Sequence, residues 1–179
     1  MRELSETFMK DLLSLKGKLN PILLRVKYDQ TLMLAIRDGF INIYYRGGNI
    51  LKITETKKGA YTAFFDTRYN ISKQEIPESP RKINCQENAH KWVTSFLTLK
   101  NIMDYYLAVN GNSEKEFQQL VARENNFSTI SNESEYFISD IEVSDSKSGA
   151  RFDLMAIRWP ATKRKSGENC KPVFIEMKY

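Results

Sequence analysis

The hydrophobic pattern of this chain changes its period at Thr31. Before that residue, apolar side chains recur at helical spacing over residues 3–19, until Asn20-Pro21 interrupts them. After it, apolar residues form short β-type runs separated by residues that tight turns require. The pattern predicts an amino-terminal helix followed by a four-stranded antiparallel meander, with strands at residues 32–36, 40–45, 50–53 and 61–65 and turns at Asp38-Gly39, Arg46-Gly47-Gly48-Asn49 and Lys58-Gly59.

The middle of the chain is predicted to be a linker followed by two helices. Residues 66–83 are mostly polar and contain two prolines, which favours a surface crossing and a boundary between modules 1–83 and 84–179. Residues 86–109 have helical spacing and end at Asn110-Gly111. Ser113 and Glu116 form a capping-box pattern that opens the second helix, whose apolar face is predicted to be Phe117, Leu120 and Val121.

The last third of the chain predicts three strands, at residues 136–143, 151–159 and 172–178. Ser148-Gly149 and the polar residues 163–169 are the turns expected between them. The whole chain is therefore predicted to be an α+β protein with an amino-terminal helix and meander, a helical connector, and a carboxyl-terminal module of one helix and three strands.

Composition limits the chemistry that is available. The 27 basic and 22 acidic residues give a net charge of +5, which would favour a polyanionic partner without requiring one. Cys85 and Cys170 lie far apart and His90 is the single histidine, so zinc and iron–sulfur sites are not expected and any metal must bind to carboxylates. The charged amino terminus and the absence of a long apolar run predict a cytoplasmic protein without a membrane partner.

Three ionisable residues lie within apolar strand patterns. Glu176 and Lys178 are two residues apart and so project from the same side of the last strand, while Asp153 lies in the strand before it. Burying unpaired charges costs several kcal/mol, and a divalent cation such as Mg²⁺ between Asp153 and Glu176 would offset that cost. The alternative is a structural ion pair of Glu176 with Lys178 at a strand end that is still in water.

This segment resembles the PD-(D/E)XK nuclease superfamily over residues 113–179. Asp153 matches the family's first acidic position, with Phe152 where the name-giving proline would stand, and Glu176-Met177-Lys178 matches its E-x-K. The resemblance implies a restriction-endonuclease-like core, metal ligands at Asp153 and Glu176, and Mg²⁺- or Mn²⁺-dependent hydrolysis of nucleic acid, DNA rather than RNA. It also implies a further helix and strand after residue 179, so the core is expected to be incomplete at that end.

The family helix often supplies another glutamate, and Glu114 is predicted to do so because it shares a helix face with Phe117 and Val121. Asp140 and Glu142 could add a ligand, although a solvent-facing acidic surface explains them as well.

Outside that module, Arg46 in its glycine turn is the candidate for a phosphate contact. Two rival functions stay open: a catalytically inactive nucleic-acid-binding or assembly module with the same fold, and an interaction domain whose acidic residues are structural. A homodimer is also expected, because the strand of Glu176 and Lys178 would lack the elements that cover it.

Overall fold

The computed structural model describes residues 3–111, 113–129, 131–144, 149–160 and 170–178. It combines helices with antiparallel sheets and so confirms the α+β prediction. The chain divides into two compact units, Met1–Ser113 and Glu114–Tyr179. This division lies later than the predicted boundary after residue 83, because the long helix that follows residue 83 packs into the core of the first unit. No helix in the described ranges is both long enough and apolar enough to cross a membrane.

In its described residues, the first unit contains three α-helices, a short 3-10 helix at Thr67–Tyr69 and a five-stranded sheet in the order β1-β2-β3-β4-β5, with every neighbouring pair antiparallel. The predicted four-stranded meander is confirmed, and a short fifth strand within the predicted linker extends it. The elements are α1 Glu6–Leu13, α2 Asn20–Tyr28, β1 Leu32–Ile36, β2 Phe40–Tyr45, β3 Gly48–Lys57, β4 Ala60–Phe64, β5 Lys82–Ile83 and α3 Gln86–Asn110.

The amino-terminal helix is shorter than predicted and is followed by a second helix that the pattern did not indicate. Helix α1 begins after Ser5, whose hydroxyl accepts a hydrogen bond from the Phe8 N–H at 3.0 Å, and it ends at Leu13. Pro21, interpreted as an interruption, instead lies in the first turn of α2. Proline fits there because the N–H that it lacks would have no partner within the helix.

Helix α3 covers the sheet of the first unit. Its buried residues Trp92, Phe96, Leu99, Ile102 and Met103 share one hydrophobic core with the meander. A Cβ at Gly48 would lie only 2.0 Å from Met103 Cε, so the missing side chain of this glycine makes room for a fully buried methionine.

The second unit is a helix with a three-stranded antiparallel sheet. The elements are α4 Ser113–Phe127, β6 Tyr136–Ser144, β7 Arg151–Arg158 and β8 Lys171–Ile175, and the strand order β6-β7-β8 puts β7 in the centre. Ile141, Leu154 and Ile175 are cross-strand partners. The predicted turn at residues 163–169, the residue Ser148 of the other turn and the capping side chain of Ser113 lie outside the described residues.

Helix α4 is attached to β6 by asparagine side chains. Asn126 Nδ2 donates to the Ile138 carbonyl at 2.7 Å, and Asn126 Oδ1 accepts from the Ile138 N–H at 2.9 Å. Asn125 Nδ2 donates to the Tyr136 carbonyl at 2.7 Å. One amide side chain thus satisfies both backbone groups of a residue at the edge of the sheet, which fixes the helix against β6.

Candidate functional site

Asp153 lies in the central strand β7, and both of its carboxylate oxygens are engaged. Gln118 Nε2 of α4 donates to Oδ1 at 2.9 Å, and the backbone N–H of Met177 donates to Oδ2 at 2.6 Å. The side chain is half-buried. A carboxylate has about four lone-pair positions, so each oxygen keeps room for one more partner.

Glu176 and Lys178 flank the residue whose N–H binds Asp153, but their setting differs from the prediction. Strand β8 was predicted to reach residue 178, whereas it ends at Ile175 and lies at one edge of the described sheet. Both side chains are exposed. The cost of burial, which motivated a bound cation, therefore does not apply to these two residues.

The alternative ion pair between Glu176 and Lys178 does not occur. Within the described ranges, neither side chain takes part in a salt bridge or hydrogen bond. Two exposed charges of opposite sign thus flank Met177 without a partner among the described residues, close to the carboxylate of Asp153 that α4 helps to hold in place.

Glu114 was predicted to be the helix glutamate because it shares a helix face with Phe117 and Val121, but the structure does not bury that face. Glu114 is exposed, and so are Phe117 and Leu120, which were predicted to form the apolar face. The buried side chains of α4 are Gln118, Gln119 and Ala122. The prediction was wrong about this face because it was assigned from the apolar residues alone, whereas the buried Gln118 is only 2% exposed and binds Asp153.

Strand β6 carries two acidic residues, Asp140 and Glu142, and Glu142 contacts α4. Glu142 forms a salt bridge with Lys115, three residues before Gln118 on the helix, and its backbone has a positive φ of 52°. Asp140 is 7% exposed, next to an irregularity in the β6–β7 register, and its Oδ1 accepts from the Ile141 N–H at 2.8 Å. The solvent-facing interpretation therefore does not describe Asp140.

Arg46 belongs to the first unit and forms its tight turn together with Gly47. Both residues have positive φ, 48° and 74°, as a two-residue hairpin turn requires. Arg46 Nη1 lies 2.8 Å from Asp104 Oδ1, so its charge is paired with a carboxylate of α3. Tyr45 also donates to Asp104, and burial together with this carboxylate raises the pKa of Tyr45 to about 12.

The carboxylates near Met177 define what the site could hold. Within the part of the chain that the structure describes, no cluster of three or more His, Cys, Asp and Glu side chains could hold a metal. Unlike zinc, Mg²⁺ does not need a cluster of three or more ligating side chains, because proteins bind it through one or two carboxylates while water and phosphate oxygens fill its other positions. The donor set of Asp153 and Glu176 fits this requirement.

Comparison with protein-family models, curated proteins and solved structures finds no match for this chain. The resemblance to the PD-(D/E)XK superfamily therefore stays a prediction that depends on residues 113–179.

Sequence analysis missed two contacts of the site. Gln118 was not singled out. The Met177 N–H could not be recognised as a partner of Asp153, because backbone N–H groups occur all along a strand. A glutamine one helical turn after Glu114 was the only signal available for the first contact.

Proposed function

We propose that the carboxyl-terminal unit carries a Mg²⁺-dependent nuclease site made of Asp153, Glu176 and Lys178. The observation that supports this most is the 2.6 Å hydrogen bond from the Met177 N–H to Asp153 Oδ2, because Met177 stands between the other two residues. The register points the same way: Leu154, next to Asp153, pairs with Ile175, next to Glu176.

Each side chain has a separate role in this proposal. Asp153 and Glu176 would hold Mg²⁺, which when bound lowers the pKa of a coordinated water and stabilises negative charge on a phosphoryl oxygen. Asp153 is held from α4 and from the backbone after β8, so its carboxylate is oriented before any ligand arrives. Lys178 donates hydrogen bonds to a phosphate oxygen and balances the charge that develops there.

The net charge of +5 is consistent with a nucleic-acid substrate. The resemblance to the nuclease superfamily favours DNA. The order of elements in this unit, one helix followed by three antiparallel strands, is also the order that the resemblance implies.

A non-catalytic nucleic-acid-binding module is the second candidate. The exposure of both Glu176 and Lys178 favours it, because water is not excluded from these side chains as it is from many catalytic sites. The two candidates differ in one observable: the nuclease cleaves its ligand when Mg²⁺ is present, and the binding module retains it intact.

The direct test is incubation of the protein with single-stranded, double-stranded and branched DNA and with RNA, in Mg²⁺ or in EDTA. The proposal predicts cleavage of at least one substrate in Mg²⁺ only, and its loss in Glu176→Gln. Glu135→Gln is the matched control, because Glu135 is a carboxylate of the same unit that pairs with Arg158. Binding without cleavage of any substrate would favour the second candidate, and equal loss in both variants would show that Glu176 has no special role.

A further inference from the structure

Gln118 is a buried amide with one half of its hydrogen-bonding capacity unused. The side chain is 2% exposed, and its Nε2 donates to Asp153 Oδ1 at 2.9 Å. Its Oε1 is also buried and accepts no hydrogen bond from the residues that the structure describes. Buried amide oxygens nearly always have a partner, so burying this one without a partner carries a cost that an apolar side chain would not have.

The position of Gln118 is fixed by the attachment of α4 to the sheet. Asn126, two helical turns later, binds both backbone groups of Ile138, and Ala122 between them is buried. Lys115, one turn before Gln118, pairs with Glu142. The helix thus contacts the sheet on both sides of Gln118 in the sequence, which holds position 118 beside Asp153.

An apolar side chain at position 118 would fill the same space without burying a polar group. Unlike leucine, glutamine at this position donates a hydrogen bond to one carboxylate oxygen of Asp153. The Met177 N–H donates to the other oxygen. The carboxylate is thereby held in one orientation, with its two remaining lone-pair positions directed away from both donors.

We propose that Gln118 is a positioning residue of the cation site, an inference that rests on the proposed function. Nε2 donates to Oδ1 and so orients Asp153 for the cation. Groups that orient metal-ligating carboxylates typically change metal affinity by about 10- to 100-fold when they are removed.

The test is titration of the ¹⁵N-labelled protein with Mg²⁺ alone, followed by NMR. Two signals report on the site: the backbone amide of Met177 and the side-chain amide of Gln118, which Gln118→Leu identifies by its disappearance. In the wild type we expect both signals to shift together and to saturate. In Gln118→Leu the Met177 signal should need about 10- to 100-fold more Mg²⁺. Gln119→Leu, which changes the next buried glutamine of α4, should keep the wild-type affinity.

Gln118→Met covers the case in which the leucine variant does not fold. It preserves the approximate length of the side chain but cannot donate to Asp153, so it should also need about 10- to 100-fold more Mg²⁺ than the wild type. A Met177 signal that titrates with wild-type affinity in either variant overturns the inference. If the wild type shows no Mg²⁺-dependent shift, the proposed function and the inference both fail. If the wild type responds and the Gln118 variants respond with the same affinity, only the inference fails.

Discussion

Met177 donates its backbone N–H to the carboxylate of Asp153 at 2.6 Å, at a point where β8 has already ended. The last backbone pair between β7 and β8 is Leu154 with Ile175. Beyond this pair, the side chain of Asp153 in the central strand takes the place of the next backbone hydrogen-bond partner. The consequence is that the segment of Glu176 and Lys178 leaves the sheet while it stays attached to β7. Several properties of the protein should depend on this one contact and on the Gln118 amide beside it.

Asp153→Asn should separate the structural role of Asp153 from its charge. The asparagine oxygen can still accept from Met177, and its amide can donate to Gln118 Oε1, which has no partner now, if the Gln118 amide rotates. We expect the free energy of unfolding to change by less than about 1 kcal/mol. Asp153→Ala leaves two donors without an acceptor and should cost about 1–3 kcal/mol.

The measurement for these variants is urea unfolding followed by tryptophan fluorescence in a Trp92→Phe background. Trp159 is then the only tryptophan, and it belongs to the carboxyl-terminal unit. An Asp153→Asn variant as unstable as Asp153→Ala would mean that the Gln118 amide does not adapt and that the charge itself is structural.

Asp29 in the first unit should make stability depend on acid pH. Burial alone would raise the pKa of Asp29, but hydrogen bonds from Lys100 and Thr31 and the charge of Lys100 outweigh burial and hold this pKa below its usual range. The folded value lies below the unfolded value of about 3.9, so the ionised carboxylate stabilises the fold above that pH and its contribution disappears as pH falls through the folded value.

We therefore expect Asp29→Asn to lower the free energy of unfolding by about 2 kcal/mol at pH 7 and to approach the wild type below about pH 4. The stability of Lys100→Met should likewise approach that of the wild type at low pH, because this variant lacks the main hydrogen-bond donor to Asp29. Denaturant unfolding from pH 7 to pH 2.5 measures both. If the difference in the free energy of unfolding between variant and wild type stayed constant over this pH range, the ion pair of Asp29 with Lys100 would not be the source of that difference.

Nucleic-acid binding should weaken as salt rises. Basic side chains that contact phosphates release condensed counterions, and each neutralised phosphate of duplex DNA contributes about −0.9 to the slope of log affinity against log salt. Fluorescence anisotropy with labelled DNA and RNA from low to high KCl, in EDTA to prevent cleavage, gives this slope. An affinity independent of salt, or no binding at low salt, would favour the interaction-domain alternative.

Much of the fold could be predicted because its signals are local. The meander follows from alternating runs and from turns such as Arg46-Gly47, whose positive φ angles the glycine-rich sequence indicates. Helix α3 was predicted almost to its ends, since Asn110-Gly111 is a clear stop. The missed elements, α2 and β5, depend on context: Pro21 can end one helix or begin the next, and a two-residue strand exists only because β4 is there to pair with it.

The site was harder to predict because burial is not a local property. The run of residues 172–178 looks like a covered strand, but its position at an edge leaves Glu176 and Lys178 exposed. Similarly, α4 has its apolar residues Phe117 and Leu120 exposed and buries Gln118, which no periodicity argument can foresee. Asp153 was identified from sequence since a carboxylate within an apolar strand is unusual whichever partners it finds.

Single-turnover cleavage by Lys178→Ala tests the account most directly. The matched control is Lys171→Ala, because Lys171 is also an exposed lysine and lies at the start of β8, the strand that precedes Lys178. With the substrate that the wild type cleaves in Mg²⁺, Lys178→Ala should bind with nearly wild-type affinity in EDTA but cleave about 100- to 1,000-fold more slowly, while Lys171→Ala cleaves like the wild type. Cleavage by Lys178→Ala at the wild-type rate would contradict the assignment of Lys178 to the chemical step.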